Sequence, residues 1–266
     1  MKIITLLTDF GLQDSFVGVM KGVIWSIAPD VHIVDLTHAI PPQDILQGAL
    51  VLDQATPFFP AGSVHIAVVD PGVGTARRPM AAQLGDSFFV GPDNGLCTLL
   101  LERAEQAGQT VQAVELNNPR YWLPLVSRTF HGRDIFSPVA AHLTLGIHLD
   151  KFGPPLIDPV RLNIPRPQRI ANGWVGQVLQ IDSFGNLITN LSQSHLDDMR
   201  KPQVQVGADV ISHISNAFGD ATPGSLVALI DSSGCLSVGV VNGSAAARLN
   251  AKIGDPVDIS SGNMVN

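Results

Sequence analysis

The chain has 266 residues, of which 45% are apolar and only 15% charged, with a formal net charge of −7. That length allows one large domain or two small ones with a substantial core. The charged share lies well under the usual level of about 25%, which points to surface hidden in a homo-oligomer, and the net acidity argues against nucleic acid as the main partner.

In chain order, Ile3 to Leu7 reads as a buried strand ending in Thr8 and Asp9. The apolar run stops too early for a signal peptide, and no run approaches the length of a membrane span, so a cytoplasmic protein is expected. Asp14 or Ser15 is placed to cap a helix whose Phe16, Met20, Val23 and Ile27 share one face, and Pro29 stops it. Val31 to Leu36 is a second strand. Asp44 is placed to cap a second helix with Ile45, Ala49 and Leu52 on one side, and Ser63 to Val69 returns as a third strand. This β-α-β-α-β order predicts a parallel sheet with crossover helices. Met80 to Gln83 and Phe88 to Val90 read as short strands, Leu96 to Glu105 as a helix, Val111 to Leu116 as a strand, and Val139 to Leu145 as part of a last helix.

Prolines crowd residues 154–168, which reads as a linker between an N-terminal α/β domain, 1–153, and a C-terminal domain, 169–266. Beyond it, short β-like runs at Trp174 to Ile181, Leu187 to Leu191, Val204 to Val206, Leu226 to Ile230 and Leu236 to Val241 are separated by Gly, Ser and Asn. They predict a smaller, mainly antiparallel β domain of barrel-like form.

Polar groups collect where the N-terminal strands end: Asp9, Asp35 with His38, Asp70 with Arg77 and Arg78, and His131 ahead of a helix. In a parallel sheet such ends converge on one edge, where ligands bind. The turn Asp70-Pro71-Gly72-Val73-Gly74 carries little bulk, so backbone N–H groups can face a ligand. Aspartates with histidines raise a metal site as one option, against which Arg77 and Arg78 compete for the same carboxylates and no HExxH spacing occurs. No phosphate loop, dinucleotide fingerprint or serine nucleophile elbow is present. Cys97 and Cys235 are isolated thiols, indicating neither a disulfide framework nor a structural zinc site. In the second domain, Asp182, Phe184 and Asn186 surround a glycine turn, readable as a hairpin turn or as a pocket in which the ring stacks on a flat ligand. The turns at 231–234 and 242–246 carry the same two readings.

Taken together, TDFG at 8–11, DPGVGTARR at 70–78, GPDNG at 91–95, FHGRD at 130–134, DSFGNLITN at 182–190 and the SSG and NGSAA turns resemble one family across both domains. The chain is similar to the S-adenosyl-L-methionine (SAM) hydroxide adenosyltransferases, relatives of the fluorinases and chlorinases. The resemblance implies a homotrimer in which SAM lies between the N-terminal domain of one subunit and the C-terminal domain of its neighbour. It implies hydrolysis of SAM to adenosine and methionine, with Asp70, Arg77 and His131 as the catalytic set and no metal or cofactor. It places Asp9 at the ribose hydroxyls, Asp182 and Ser232 at the methionine end, Phe184 and Asn186 at adenine, and Phe130, Gly132, Ser233 and Ala246 among the other substrate-binding residues. Gly132 stands where fluorinases carry a halide-binding serine, and Asp70 where the halogenases carry tyrosine, so water is favoured over halide. Of the polar groups, Asp70 and Arg77 suit holding a hydroxide-like nucleophile, and His131, whose ordinary pKa is near neutrality, suits accepting a proton. Two further readings are a metal-dependent phosphohydrolase and a SAM- or adenosine-binding module without turnover.

Overall fold

The computed structural model describes residues 2–262 and divides into two compact units, Met1–Asn163 and Ile164–Asn266. In the first unit, β1 (Ile3–Thr8), β2 (His32–Thr37), β3 (Val64–Val68), β4 (Pro79–Leu84), β5 (Ser87–Pro92) and β6 (Val111–Glu115) form one sheet. Its order is β2-β1-β3-β5-β4-β6. Strands β2, β1, β3 and β5 run parallel, as the alternation of strands and helices predicts, while β4 pairs antiparallel with both β5 and β6. Every residue of β1 is buried because helices cover both faces. On one face Ile4 and Leu6 pack with α1 (Phe16–Ile27) and α4 (Ser137–Thr144). On the other, Leu7 packs with α2 (Ile45–Ala55) and α3 (Thr98–Gln106).

Two details of the helices depart from expectation. The buried stripe of α1 is Val17, Met20 and Ile24, one residue round from the predicted face. Phe16 leaves the stripe because its ring joins Phe10 and Phe130 above the strand ends, at centroid separations of 5.8 and 5.3 Å. Ser15 occupies the N-cap, but its backbone is already helical (φ −76°, ψ −2°), so its hydroxyl makes no cap bond. Asp44 does cap α2, accepting from Gln47 N at 3.0 Å.

The segment after Gly153 is tied to the first unit: Leu156 N donates to Ala113 O, Val160 N to Asp93 Oδ1, and Leu162 N to Thr98 Oγ1, each at 2.8 Å. The second unit is a nearly closed, antiparallel, barrel-like sheet. It holds β7 (Gln168–Ile170), β8 (Gly173–Ile181), β9 (Leu187–Ser192), β10 (Pro202–Val206), β11 (Asp209–Ile211), β12 (Leu226–Ile230), β13 (Cys235–Val240) and β14 (Pro256–Ser261). The path is β11-β10-β14-β8-β9-β13-β12, and Ile214, just past β11, bridges Ala228 of β12. Alternating residues such as Leu187, Leu191, Leu236 and Val238 fill its core. A short helix, α5 (Ala245–Leu249), follows β13.

Candidate active site

In the first unit the carboxyl ends of β1 and β3 release Asp9 and Asp70 into a cleft of about 340 Å³ whose walls also include Gln43, Phe130, His131 and Gly132. Gln43 adopts a left-handed backbone (φ 66°) and donates its N–H to Asp9 Oδ2 at 2.8 Å. Nothing in the sequence flags it, since only the folded chain brings it to Asp9.

Behind the wall, Arg77 grips Asp70 with two nitrogens, Nε to Oδ1 at 3.1 Å and Nη2 to Oδ2. Nη2 also lies 3.1 Å from His131 Nδ1. A guanidinium only donates, so Nδ1 accepts and the ring proton sits on Nε2. The pair is well shielded, with side chains 7% and 4% exposed, and the guanidinium lies 5.5 Å from the centroid of the Phe136 ring. Burial and the Arg77 charge hold the His131 pKa below its ordinary value, against the pull of Asp70 and Asp134, so the ring is neutral near pH 7. Its basic lone pair faces Arg77.

Glycine 74 (φ 74°) permits the close approach that assembles this wall: a Cβ there would stand 2.1 Å from the Arg128 carbonyl oxygen. Its slimness thus serves the loop at 127–131. A Cβ on Gly132 would lie 3.2 Å from Met20 Sδ and 3.3 Å from Phe130 Cε2.

The structure does not bring the other strand-end groups into the cleft. His38 is buried beside the ends of β1 and β2, with Nδ1 2.9 Å from Thr8 Oγ1 and Nε2 3.1 Å from Asp35 Oδ1, and Asp35 binds Lys21 at 2.6 Å. Arg78 turns away to Asp93 and Asp158. Among the described residues, no three His, Cys, Asp or Glu side chains gather to hold a metal ion, and both oxygens of Asp70 are engaged by Arg77.

In the second unit, Asp182 organises the β8–β9 turn. Its Oδ1 accepts from Phe184 N and Asn186 N at 2.9 and 2.8 Å, and its Oδ2 from Asn186 Nδ2 at 2.8 Å. Phe184 is left 76% exposed at the tip. Ala246 N donates to Gly185 O at 2.9 Å, which brings α5 against this turn. Phe184, Asn186 and Ala246 are therefore neighbours. Ser232 and Ser233 lie in the β12–β13 turn, where Asp231 Oδ1 accepts from Ser233 Oγ at 2.6 Å. Because Leu187 pairs with Val238 and Ser192 with Cys235, these serines sit at the opposite end of β9 from Phe184.

Sequence comparison accounts for both units. The SAM hydroxide adenosyltransferase N-terminal domain matches residues 4–153 and the C-terminal domain residues 176–258. An (R)-S-adenosyl-L-methionine hydrolase of Salinispora tropica is 44% identical over 97% of this chain and 98% of its own length, and one of Thermus thermophilus is 43% identical over 97% and 99%. Fluorinases match at 28% to 30% identity. A crystal structure of an uncharacterized conserved protein from Thermotoga maritima superimposes with a TM-score of 0.89 at 36% identity, covering 97% of this chain and 99% of that one. The chain belongs to the SAM hydroxide adenosyltransferase family.

Proposed function

We propose that the protein hydrolyses SAM to adenosine and L-methionine, with water attacking the ribose 5′ carbon. The observation that carries this reading is the shielded Asp70–Arg77–His131 network, which presents one carboxylate and one neutral imidazole to a cleft in a member of this family. The sulfonium is already a good leaving group, so no general acid is needed; the difficulty lies in aligning a poor nucleophile and relieving it of a proton. Water oxygen bonds to C5′ as the C5′–S bond breaks, and the electron pair leaves with methionine. The proton becomes acidic as the new C–O bond forms, which suits a weak base. Asp70, oriented by the two Arg77 nitrogens, is that acceptor. His131 presents no free lone pair to the water; it braces Arg77 and closes the wall. This reverses the proton-accepting role that its ordinary pKa suggests.

Asp9 holds the ribose hydroxyls, with its carboxylate aimed by Gln43 N, and Phe130 and Gly132 flank the reacting carbon. Phe184 stacks on adenine, with Asn186 and Ala246 beside it in the turn that Asp182 holds, while Ser232 and Ser233 serve the methionine end. A ligand reaching from Phe184 to the serines must be extended along β9, and SAM, with adenine at one end and an amino acid at the other, is elongated. The protein acts as a homotrimer in which a neighbour's second unit completes each cleft, and it needs no cofactor.

Purified protein incubated with SAM, with and without a chelator, is expected to release adenosine and methionine in equal amounts under both conditions. SAM binding without products would leave only a binding module, and chelator-sensitive phosphate release from phosphoesters would replace the reading altogether. Formation of 5′-chloro-5′-deoxyadenosine in added chloride would point to a halogenase. Sedimentation equilibrium tests the trimer.

A further inference from the structure

The loop that carries Phe130 and His131 into the cleft has no regular structure of its own, yet its position decides where the cleft's wall stands. We infer that Asp134 is a positioning residue: by clamping Ser127 it holds this loop, and with it His131 and Phe130, in register with Asp70. The inference rests on the proposed hydrolase reading.

Asp134 has no side-chain exposure. Its Oδ2 accepts from both Ser127 N and Ser127 Oγ at 2.8 Å, and its Oδ1 from Arg133 Nε at 2.6 Å. An ionised carboxylate only accepts, so the Ser127 hydroxyl spends its proton on Asp134 and keeps a lone pair for Phe130 N, 3.0 Å away. The backbone of Asp134 closes the loop from its other end, its O accepting from Leu123 N at 2.9 Å and its N donating to Phe130 O at 3.1 Å. Arg133 adds a third tie, its guanidinium lying 5.2 Å from the centroid of the Phe130 ring. Burial pushes the Asp134 pKa up, but the bonds from Arg133 and Ser127 outweigh it and hold the carboxyl below the ordinary range, so the clamp is ionised near neutral pH.

The backbone is bent for this purpose. Residues Gly132–Phe136 form a single π-helical turn before α4, with Ser137 N and Ser137 Oγ both donating to Gly132 O, the latter at 2.7 Å. The wide turn lets His131 and Gly132 line the cleft while Asp134, two residues on, lies outside its wall and faces the loop. The Asp134 carboxylate reaches the loop through Ser127 and through Arg133, which lies over the Phe130 ring.

The test compares Ser127→Ala, Ser127→Thr and Asp134→Asn with the wild type at a temperature where circular dichroism shows all of them folded. Ser127→Ala removes the hydroxyl link and keeps the backbone bond to Asp134. Misplacing the wall by a fraction of an ångström lowers kcat by about tenfold to a hundredfold, while KM for SAM stays within about threefold. Ser127→Thr, which keeps the hydroxyl, restores kcat to within about threefold of wild type. An unchanged kcat in Ser127→Ala, a rise confined to KM, or a threonine variant as slow as the alanine one would each overturn the inference. Should Asp134→Asn fail to fold, the serine pair still decides. A second readout needs no turnover: in the unliganded protein the ¹⁵N shifts of His131 report one tautomer, and in Ser127→Ala they average towards exchange between two. Wild type inactive with SAM but responding in this way would remove the hydrolase reading and leave the clamp; wild type active with unaltered shifts in Ser127→Ala would remove the clamp alone.

Discussion

Arg77 and Arg78 are adjacent in sequence, and each pairs with aspartate, yet they do different work. Arg77 is shut in with Asp70 and His131 directly behind the cleft wall. Arg78, with 30% of its side chain exposed, reaches sideways to Asp93 and then to Asp158 in the segment after Gly153. Neighbouring side chains on an extended chain point to opposite sides, so one step along the backbone separates a network that holds the cleft carboxylate of Asp70 from one that fastens the segment at Asp158. Pairing with aspartate does not identify a functional arginine; what matters is which groups share that aspartate's surroundings.

The sharpest test exchanges each arginine for lysine. Lysine keeps the charge but loses the fork that grips two oxygens and the histidine at once. Arg77→Lys is expected to lower kcat by about a hundredfold to a thousandfold, while Arg78→Lys leaves it within about threefold, measured by adenosine release. Equal losses at both positions would dissolve the distinction.

Acid offers a second way in. Protonating His131 turns Nδ1 into a donor facing the donor Nη2 of Arg77, so it breaks the first network and leaves the second intact. Because burial and Arg77 lower the His131 pKa, the ring stays neutral as pH falls past its ordinary value of about 6.5, and the acid limb of kcat is expected below that point. With Arg77→Ala, only Asp70 and Asp134 remain as charged neighbours, and the NMR titration of His131 should move upward. An unmoved titration would mean that burial, and not the Arg77 charge, sets it.

Third in size is the stability of the second network. Arg78→Ala leaves the Asp93 carboxylate, 1% exposed, with Val160 N but without its cation, a loss of about 3 kcal/mol in urea unfolding. Activity of the remaining folded protein should persist. A variant as stable as wild type but inactive would transfer Arg78 to the catalytic side of the comparison.

Much of this arrangement was legible in the chain. Continuous apolar runs expose the parallel core strands β1 and β3, apolar spacing the helices between them, and Asp44 announces α2, because runs, spacing and caps are local properties. Asp70, Arg77 and His131 are readable as chemistry from residue type and position at strand ends. What escaped depends on the folded path. The partner that gives Arg78 its role, Asp158, lies 80 residues away; the left-handed turn at Gln43 has no residue signature; and β14, PVDISS, is short and half polar. The stripe of α1 went one residue astray because apolar residues occur at two overlapping sets of positions, and the choice between them was made by where Phe16 finds aromatic partners.

The smallest effect is expected at the outer end of the second network. Asp158→Asn removes a charge from a side chain 74% exposed, where solvent and salt already screen the pair. The amide oxygen of asparagine still accepts from Arg78 Nη1, and Nη2 still donates to the backbone carbonyl of residue 158, a bond of 2.9 Å that the substitution does not touch. Arg78 meanwhile keeps Asp93. The melting temperature should therefore stay within about 2 °C of wild type and kcat should be unchanged. A large fall in melting temperature, reproduced at high salt where a surface ion pair contributes little, would show that the segment around Asp158 is held chiefly through this carboxylate, and the second network would then extend further from Asp93 than its buried core.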